Sequence, residues 1–481
     1  MDRFDKIDFG RARAELERSD HPILIQKGFL DPNGIVPILM DESTYLVLGS
    51  KGSGKSAVAE KLLLESTYKT NTIASIIHLS DFPYASFSKI MSGKEDPETR
   101  FPTTWSWLLL IMLLDSFSKD QASPTQYDAQ FVKAINSLID VGLLPPNDIS
   151  TVVAKSSKNS FKIALHTILE ATFEDARVPL EIDMQFRRLV DHLKELVNQF
   201  KSPNKHILII DGLDDILLRK EIQYQSLAAL VYEADRLNLT FMKNDVGAKI
   251  ILLCRTDLFE RLPGPNKNKI RQDSAYEIDW YHDPRKPRDS FLVQLVNLRG
   301  SIHFHRDVDI FSLFFPQAIN QYDTVAFLLN RTRHTPRDFI QLLNHLKPFY
   351  QGRPFDRAQI LSGIRQYSMR YFLPEIWDEL AGYVPREHFD CFIRVIRSKR
   401  KRATPYPELL SSVLTTEIIE QRDFDNMLYA LYECSAIGHR WEAPGYSEWR
   451  FDFKYRNPNS VLNTQNEIIL HTGLWKALNL E

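Results

Sequence analysis

At 481 residues the chain is too long to fold around one core, and its length fits about three domains. Its 60 lysines and arginines balance 62 aspartates and glutamates, which excludes a whole-protein field drawing it onto nucleic acid or anionic lipid; any such contact must be local. With 43% hydrophobic and 11% aromatic residues the sequence is that of a globular protein rather than a disordered one.

Cys254, Cys391 and Cys434 are scattered, without metal-ligand spacing, and are expected to be reduced core thiols of a cytoplasmic protein. The charged first twenty residues lack an apolar segment of the signal-peptide kind. The most apolar run, Trp105 to Leu114, is about half the length a bilayer requires and predicts a buried helix, so no membrane partner is expected.

In chain order, residues 1–44 contain a short helix-like stretch, Ala12 to Arg18, and then a segment broken by Pro22, Pro32 and Pro37. An extended arm packing on the first strand is expected there. Tyr45 to Leu48 then runs as a strand into Gly49-Ser50-Lys51-Gly52-Ser53-Gly54-Lys55-Ser56, followed by a helix from Ala57 to Ser66. This is a phosphate-binding loop with strand and helix on the required sides. Its glycines let backbone N–H groups wrap a polyphosphate, and the helix N-terminus adds partial positive charge. Lys55 is placed to reach the β- and γ-phosphates, and the Ser56 hydroxyl to enter the shell of a Mg²⁺ ion.

Thr72 to Leu79 predicts a second strand. A mainly helical block of about 81–200 follows, with amphipathic runs from Ser160 to Ala176 and Asp183 to Phe200; it is longer than a nucleotide-binding core needs and is expected to be an insertion. Lys205 to Asp211 is a continuous apolar strand ending in acid. That pattern suits a doubly wound parallel sheet presenting Asp211 to Mg²⁺, directly or through water. Asp214 and Asp215 lie just beyond, either to polarise the attacking water or to cap the next helix.

A fourth strand, Lys249 to Cys254, ends at Arg255, which is either a γ-phosphate sensor or the partner of Asp257 or Glu260. Ala275 to Asp279 predicts a fifth. From Pro284 to Phe372 the pattern is wholly helical, and Pro336 in a first helical turn places Arg337 at an exposed helix start. Arg337 is either a second sensor on a helical lid or a surface arginine paired with Asp338.

The last hundred residues predict three helices, His388 to Arg397, Pro405 to Val413 and Phe424 to Cys434. Two β-type runs about Pro444-Gly445 complete the order of a winged helix. The basic run Arg397 to Arg402 and the wing residues Arg450, Lys454 and Arg456 either grip phosphates or form a solvated charged surface. The third helix, carrying Asp423, Asp425 and Glu433, disfavours direct readout of duplex DNA.

Together, GSKGSGKS, ILIIDGLDD, LLCRTD and HTPRDF ahead of a winged helix resemble the STAND branch of P-loop ATPases, near the ORC/Cdc6-like branch of the AAA+ superfamily. More narrowly the chain resembles bacterial STAND-type ATPases associated with anti-phage defence, whose C-terminus is similar to Arg456-Asn-Pro458 and Leu474 to Leu480 here. The resemblance implies ATP and Mg²⁺ as cofactors and carries roles to the phosphate loop, Asp211, Asp214, Arg255 and Arg337. Gly212 departs from it, standing where AAA+ proteins place glutamate, so the catalytic carboxylate shifts to Asp214 or Asp215 or turnover is slow. The organisation expected is an α/β P-loop core at 45–283 with a helical insertion, a helical lid at 284–374 and a winged-helix domain at 375–481. The function expected is a slow, regulatory ATPase switch in antiviral defence, acting through self-assembly or a separate effector protein. The alternative is an origin-recognition-type DNA-binding ATPase of replication or repair.

Overall fold

The computed structural model describes residues 2–79, 82–91, 96–162, 165, 181–213, 221–282, 285–442 and 449–480. Contacts divide the chain into two units. One comprises Asn33–Gly49 with Lys55–Ile278; the other comprises Met1–Pro32, Ser50–Gly54 and Asp279–Glu481.

The first unit is built on a parallel sheet of β1 (Leu46–Gly49), β2 (Thr72–His78), β3 (Lys205–Asp211), β4 (Ala248–Arg255) and β5 (Ala275–Ile278), in spatial order β2-β3-β4-β1-β5. Parallel strands covered on both faces need near-continuous apolar runs. Leu46–Leu48, Ile207–Ile210 and Ile250–Cys254 supply them and are buried throughout. The helix Lys55–Tyr68 is the next element after β1.

The helices between β2 and β3 belong to this core rather than hanging from it. Pro97–Ser118 is buried almost all round, including the whole apolar run from Trp107 to Ile111. Its Trp105 indole donates to the Ser226 carbonyl at 2.9 Å, and its Ser116 hydroxyl meets His206 Nδ1 on β3 at 2.8 Å. His206 Nε2 faces the Asp120 carboxylate at 3.1 Å, and burial holds this imidazole below its usual range although Asp120 pulls it up. Ile182–Gln199 forms the expected amphipathic helix, whereas most of the Ser160–Ala176 run lies outside the described residues.

The helix-like stretch Ala12 to Arg18 forms the helix Ala14–Asp20, but the segment after it, expected to be extended, is instead helical at Pro22–Gln26 and Ile35–Asp41. Pro22 and Pro37 sit in first turns, where an absent N–H breaks no helical bond, so the prolines start helices rather than exclude them. Ile35–Asp41 is closed by Lys249, whose Nζ donates to the carbonyls of Leu39 and Glu42 at 2.6 Å each. Burial pushes this ammonium down to about 8. Phe4, Ile7 and Phe9 join the core of the second unit, where Phe4 lies edge-on to Phe355 at 4.9 Å.

The second unit is mainly helical. The segment expected to be wholly helical contains a two-stranded hairpin, β6 (Ala318–Ile319) and β7 (Tyr322–Asp323). Its turn residues Asn320 and Gln321 both take positive φ, as a two-residue hairpin turn of matching twist requires. Phe291–Phe304, Thr324–Leu329, Pro336–Leu346 and Arg357–Tyr367 share one core with its Ile319.

The C-terminal part runs helix Arg386–Lys399, β8 (Ala403–Pro405), helix Tyr406–Leu414, helix Gln421–Glu433, β9 (Ile437–Glu442) and β10 (Trp449–Asp452), which is the order of a winged helix. A further strand, β11 (Glu467–Leu470), inserts between β8 and β9, giving the order β10-β9-β11-β8. The Pro444-Gly445 turn lies outside the described residues.

Candidate functional site

In the sheet unit, β1 ends at Gly49 and pairs in register with β4, so that Gly49 stands opposite Arg255. Lys55, the first residue of the following helix, donates from Nζ to the Gly49 carbonyl at 3.0 Å. β4 also pairs with β3, which ends at Asp211. The Ser56 hydroxyl donates to the Asp211 carboxylate, whose Oδ1 also accepts the Gly212 N–H at 2.9 Å. Burial pushes this carboxyl above its ordinary range, against the pull of Ser56, the Gly212 N–H, Lys55 and His78. A hydroxyl beside a carboxylate that burial makes costly to ionise is a hard-oxygen donor set suited to Mg²⁺, whose charge would offset that cost. Arg255 forms a two-pronged pair with Asp257, Nε to Oδ1 at 2.9 Å and Nη2 to Oδ2 at 2.8 Å. Burial raises the Asp257 carboxyl but Arg255 outweighs it, leaving the group below its usual range. Asp214 and Asp215 lie outside the described residues.

The loop residues Ser50–Gly54 group with the second unit. Gly52 and Gly54 have φ of +80° and +98°, a region side chains rarely adopt. At Gly52 space is short as well: an added Cβ would lie 3.1 Å from Arg337 Cβ and 3.2 Å from Thr335 Oγ1. Thr335 caps the helix Pro336–Leu346, its hydroxyl accepting the Asp338 N–H at 3.2 Å. The Arg337 N–H donates to the Gly52 carbonyl at 3.3 Å, and the Trp280 indole donates to the Ser53 carbonyl at 2.8 Å. Lys51 Nζ lies 3.1 Å, and Arg337 Nη1 3.5 Å, from one oxygen of Glu375 on the helix Leu373–Leu380.

Asp338 is not the partner of Arg337. It is fully buried, bound by Arg333 Nε at 2.9 Å and by the Tyr371 hydroxyl at 2.9 Å, while Arg333 also pairs with Glu379. Burial raises the Asp338 carboxyl, and Arg333 more than reverses that. The residues missed from sequence are Glu375, Trp280 and Thr335. Only Thr335 left a signal, a threonine before Pro-Arg-Asp that fits an N-cap.

The basic run is largely exposed but makes contacts within the chain. Lys399 and Lys401 both reach Glu408 at 2.9 Å, Arg397 donates to the Ala477 carbonyl at 3.0 Å, and Arg402 donates to that of Leu480 at 3.0 Å. On the wing, Lys454 donates to the Ser460 carbonyl and Arg456 to Asn330, at 2.9 and 3.2 Å. Asp425 on the third helix accepts from the Tyr406 hydroxyl at 2.6 Å.

Strand order β2-β3-β4-β1-β5, a glycine-rich loop after β1 and an acid ending β3 define a P-loop α/β fold, here with a C-terminal winged helix. No family model matches the chain, and no curated protein does. Among solved structures it is similar to the Orc1 protein of Aeropyrum pernix in complex with DNA, at 12% identity and a TM-score of 0.38, over 96% of this chain and 92% of that one. Among the described residues no helix is long and apolar enough to cross a membrane.

Proposed function

We propose that the chain is an ATP-binding and ATP-hydrolysing switch of the STAND/AAA+ kind, slow in turnover and regulatory in purpose. The observation that carries this reading is the grip of the lid helix on the phosphate loop: Arg337 N–H on the Gly52 carbonyl, with Lys51 and Arg337 sharing Glu375. Lys51 and Arg337 are the cations a polyphosphate would recruit, and here a carboxylate holds both. Nucleotide and Glu375 therefore compete, and the helix that carries Glu375 registers the outcome.

In this reading Gly49–Ser56 cradle the phosphates, Lys55 contacts the β- and γ-oxygens, and Ser56 with Asp211 hold Mg²⁺, which neutralises charge on the transferring phosphoryl group. Asp214 or Asp215 orients the attacking water, and Arg255 and Arg337 sense the γ-phosphate, Arg255 exchanging Asp257 for it. Residues 1–44 act as an arm, 45–283 as the ATPase core, 284–374 as the lid and 375–481 as the output domain. By the resemblance in its motifs the switch serves bacterial antiviral defence in the cytoplasm, through homo-oligomerisation or a separate effector protein.

The DNA-binding alternative has less support from side chains, because Arg397, Lys399, Lys401, Lys454 and Arg456 are engaged within the chain. Light scattering behind size-exclusion chromatography tests both, without nucleotide, with ADP and with a non-hydrolysable ATP analogue. ATP-dependent assembly abolished by Lys55→Ala supports the switch. A constant monomer that retains duplex DNA through Arg400, with affinity falling steeply in salt, sinks it.

A further inference from the structure

The phosphate loop is also held by a contact that does not involve Glu375. Within the second unit the Trp280 indole N–H donates to the Ser53 carbonyl at 2.8 Å. Ser53 is 1% exposed, and a carbonyl so placed takes its partner from the chain. Trp280 is half-buried against the apolar core of the second unit. Beside it Asp279 Oδ1 accepts the Tyr281 N–H at 2.8 Å, and the Tyr281 ring lies 5.2 Å from that of the buried His334. The indole is therefore seated between a closed turn and a packed core.

A trans peptide sets its C=O and the following N–H in opposite directions, so whatever holds the Ser53 carbonyl also aims the N–H of Gly54. The two preceding groups are anchored otherwise: the Ser53 N–H donates to the Ser50 carbonyl at 3.2 Å, and the Gly52 carbonyl accepts the Arg337 N–H at 3.3 Å. The Ser53–Gly54 peptide is the one that the indole orients, and its N–H is turned away from Trp280. Gly54 has φ of +98°, and a Cβ added there would meet nothing within 4 Å, so the loop is open at this residue, just ahead of the helix that Lys55 begins. A backbone N–H fixed in direction at such a place is a donor for an anion.

We infer that Trp280 is a positioning residue of the phosphate loop, which by holding the Ser53 carbonyl presents the Gly54 N–H to a bound polyphosphate, an assignment that rests on the ATP-binding reading above. Trp280 itself touches no nucleotide in this role. The backbone N–H groups of such a loop cradle the α- and β-phosphates, so the effect of Trp280 falls on ADP and ATP alike and is indifferent to the base.

Calorimetric titration of the full chain in Mg²⁺ with a non-hydrolysable ATP analogue, ADP and inorganic tripolyphosphate tests the assignment. The parent is compared with Trp280→Phe and with a chain carrying 3-benzothienylalanine in place of Trp280, which keeps the shape of the indole with sulfur where the N–H stood. Both replacements should weaken every probe by about two- to tenfold, the range of a single hydrogen bond, at unchanged stoichiometry. The benzothienyl chain decides the matter if the phenylalanine variant does not fold. Affinities equal to those of the parent overturn the assignment. So does a loss for the two nucleotides without one for tripolyphosphate, which would put the ring on the base, or a lowered stoichiometry at parental affinity, which would make Trp280 a purely structural residue. A parent chain that, like Lys55→Ala, binds none of the probes overturns the ATP-binding reading and the role of Trp280 with it.

Discussion

The two units solve the burial of charge differently. In the sheet unit the interior strands are apolar along most of their length, the buried His206–Asp120 pair apart, and charge collects at strand ends, where Asp211, Arg255 and Lys55 each have a short-range partner that a nucleotide or metal could replace. In the helical unit charge runs through the interior: Arg333 with Asp338 and Glu379, and Arg299 with Glu17, all nearly solvent-free. Exchangeable pairs at an edge suit chemistry, whereas permanent pairs in a core fix how helices meet. The contrast predicts that stability is most sensitive to single charges in the second unit and activity in the first.

The largest expected effect comes from Asp338→Asn, which leaves Arg333 with a buried, half-compensated charge. Breaking such a pair costs about 3–5 kcal/mol, to be measured by urea unfolding, and an apolar double replacement of Arg333 and Asp338 should recover much of it. A loss below about 1 kcal/mol would mean that the buried pairs do not organise this unit, and the contrast would fail.

Asp211→Asn comes next and should spare the fold. Losing one electrostatic group at a phosphoryl-transfer centre lowers turnover by roughly a hundredfold or more, read as steady-state phosphate release, while the urea midpoint stays close to that of the parent chain. A large stability loss with turnover intact would reverse the assignment of roles between the units.

A smaller effect is graded by pH. His334 is buried between Tyr281 and Tyr455, and burial, with Arg456 adding to it, pushes its imidazole down to about 3. Burial with Arg333 and Arg456 likewise lowers His471 well below its ordinary value. A folded state that resists protonation is fully stable above the unfolded value of 6.5 and loses stability as pH falls below it, because the unfolded chain takes up the proton first. Each histidine contributes about 1.4 kcal/mol per pH unit in that window. Urea midpoints measured from pH 7.5 to 5 should fall, and His334→Asn, which tolerates the positive φ of 53° at that position, should flatten the slope.

The same contrast explains what the sequence disclosed. The strands and loop of the sheet unit were legible because a strand buried on both faces writes its whole length in apolar residues, and because glycines at 52 and 54 answer a local backbone demand. The wing's helices were legible from periodicity. The arm was misjudged because Pro22 and Pro37 break or begin a helix according to position alone, and the β6–β7 hairpin was missed because Asn320-Gln321 lacks the glycine that usually marks such turns. Side-chain partners were the least legible. Arg337 and Asp338 are adjacent in sequence, yet the helix turns one toward Glu375 and sends the other into the core to Arg333, some forty and five residues away respectively.

Glu375→Gln should have the smallest effect and discriminates most finely. Lys51, Arg337 and Glu375 are partly exposed, at 23, 31 and 14% of their side chains, so the shared ion pair is worth at most about 1 kcal/mol. Removing its charge frees the two cations for phosphate and should tighten ATP-analogue binding by up to about fivefold, with little change in urea midpoint. ADP, lacking the γ-phosphate, should gain less than the ATP analogue if Arg337 senses that group. An equal gain for both would place Arg337 and Lys51 on general phosphate attraction, and weakened binding would mean that Glu375 positions the cations rather than competing for them.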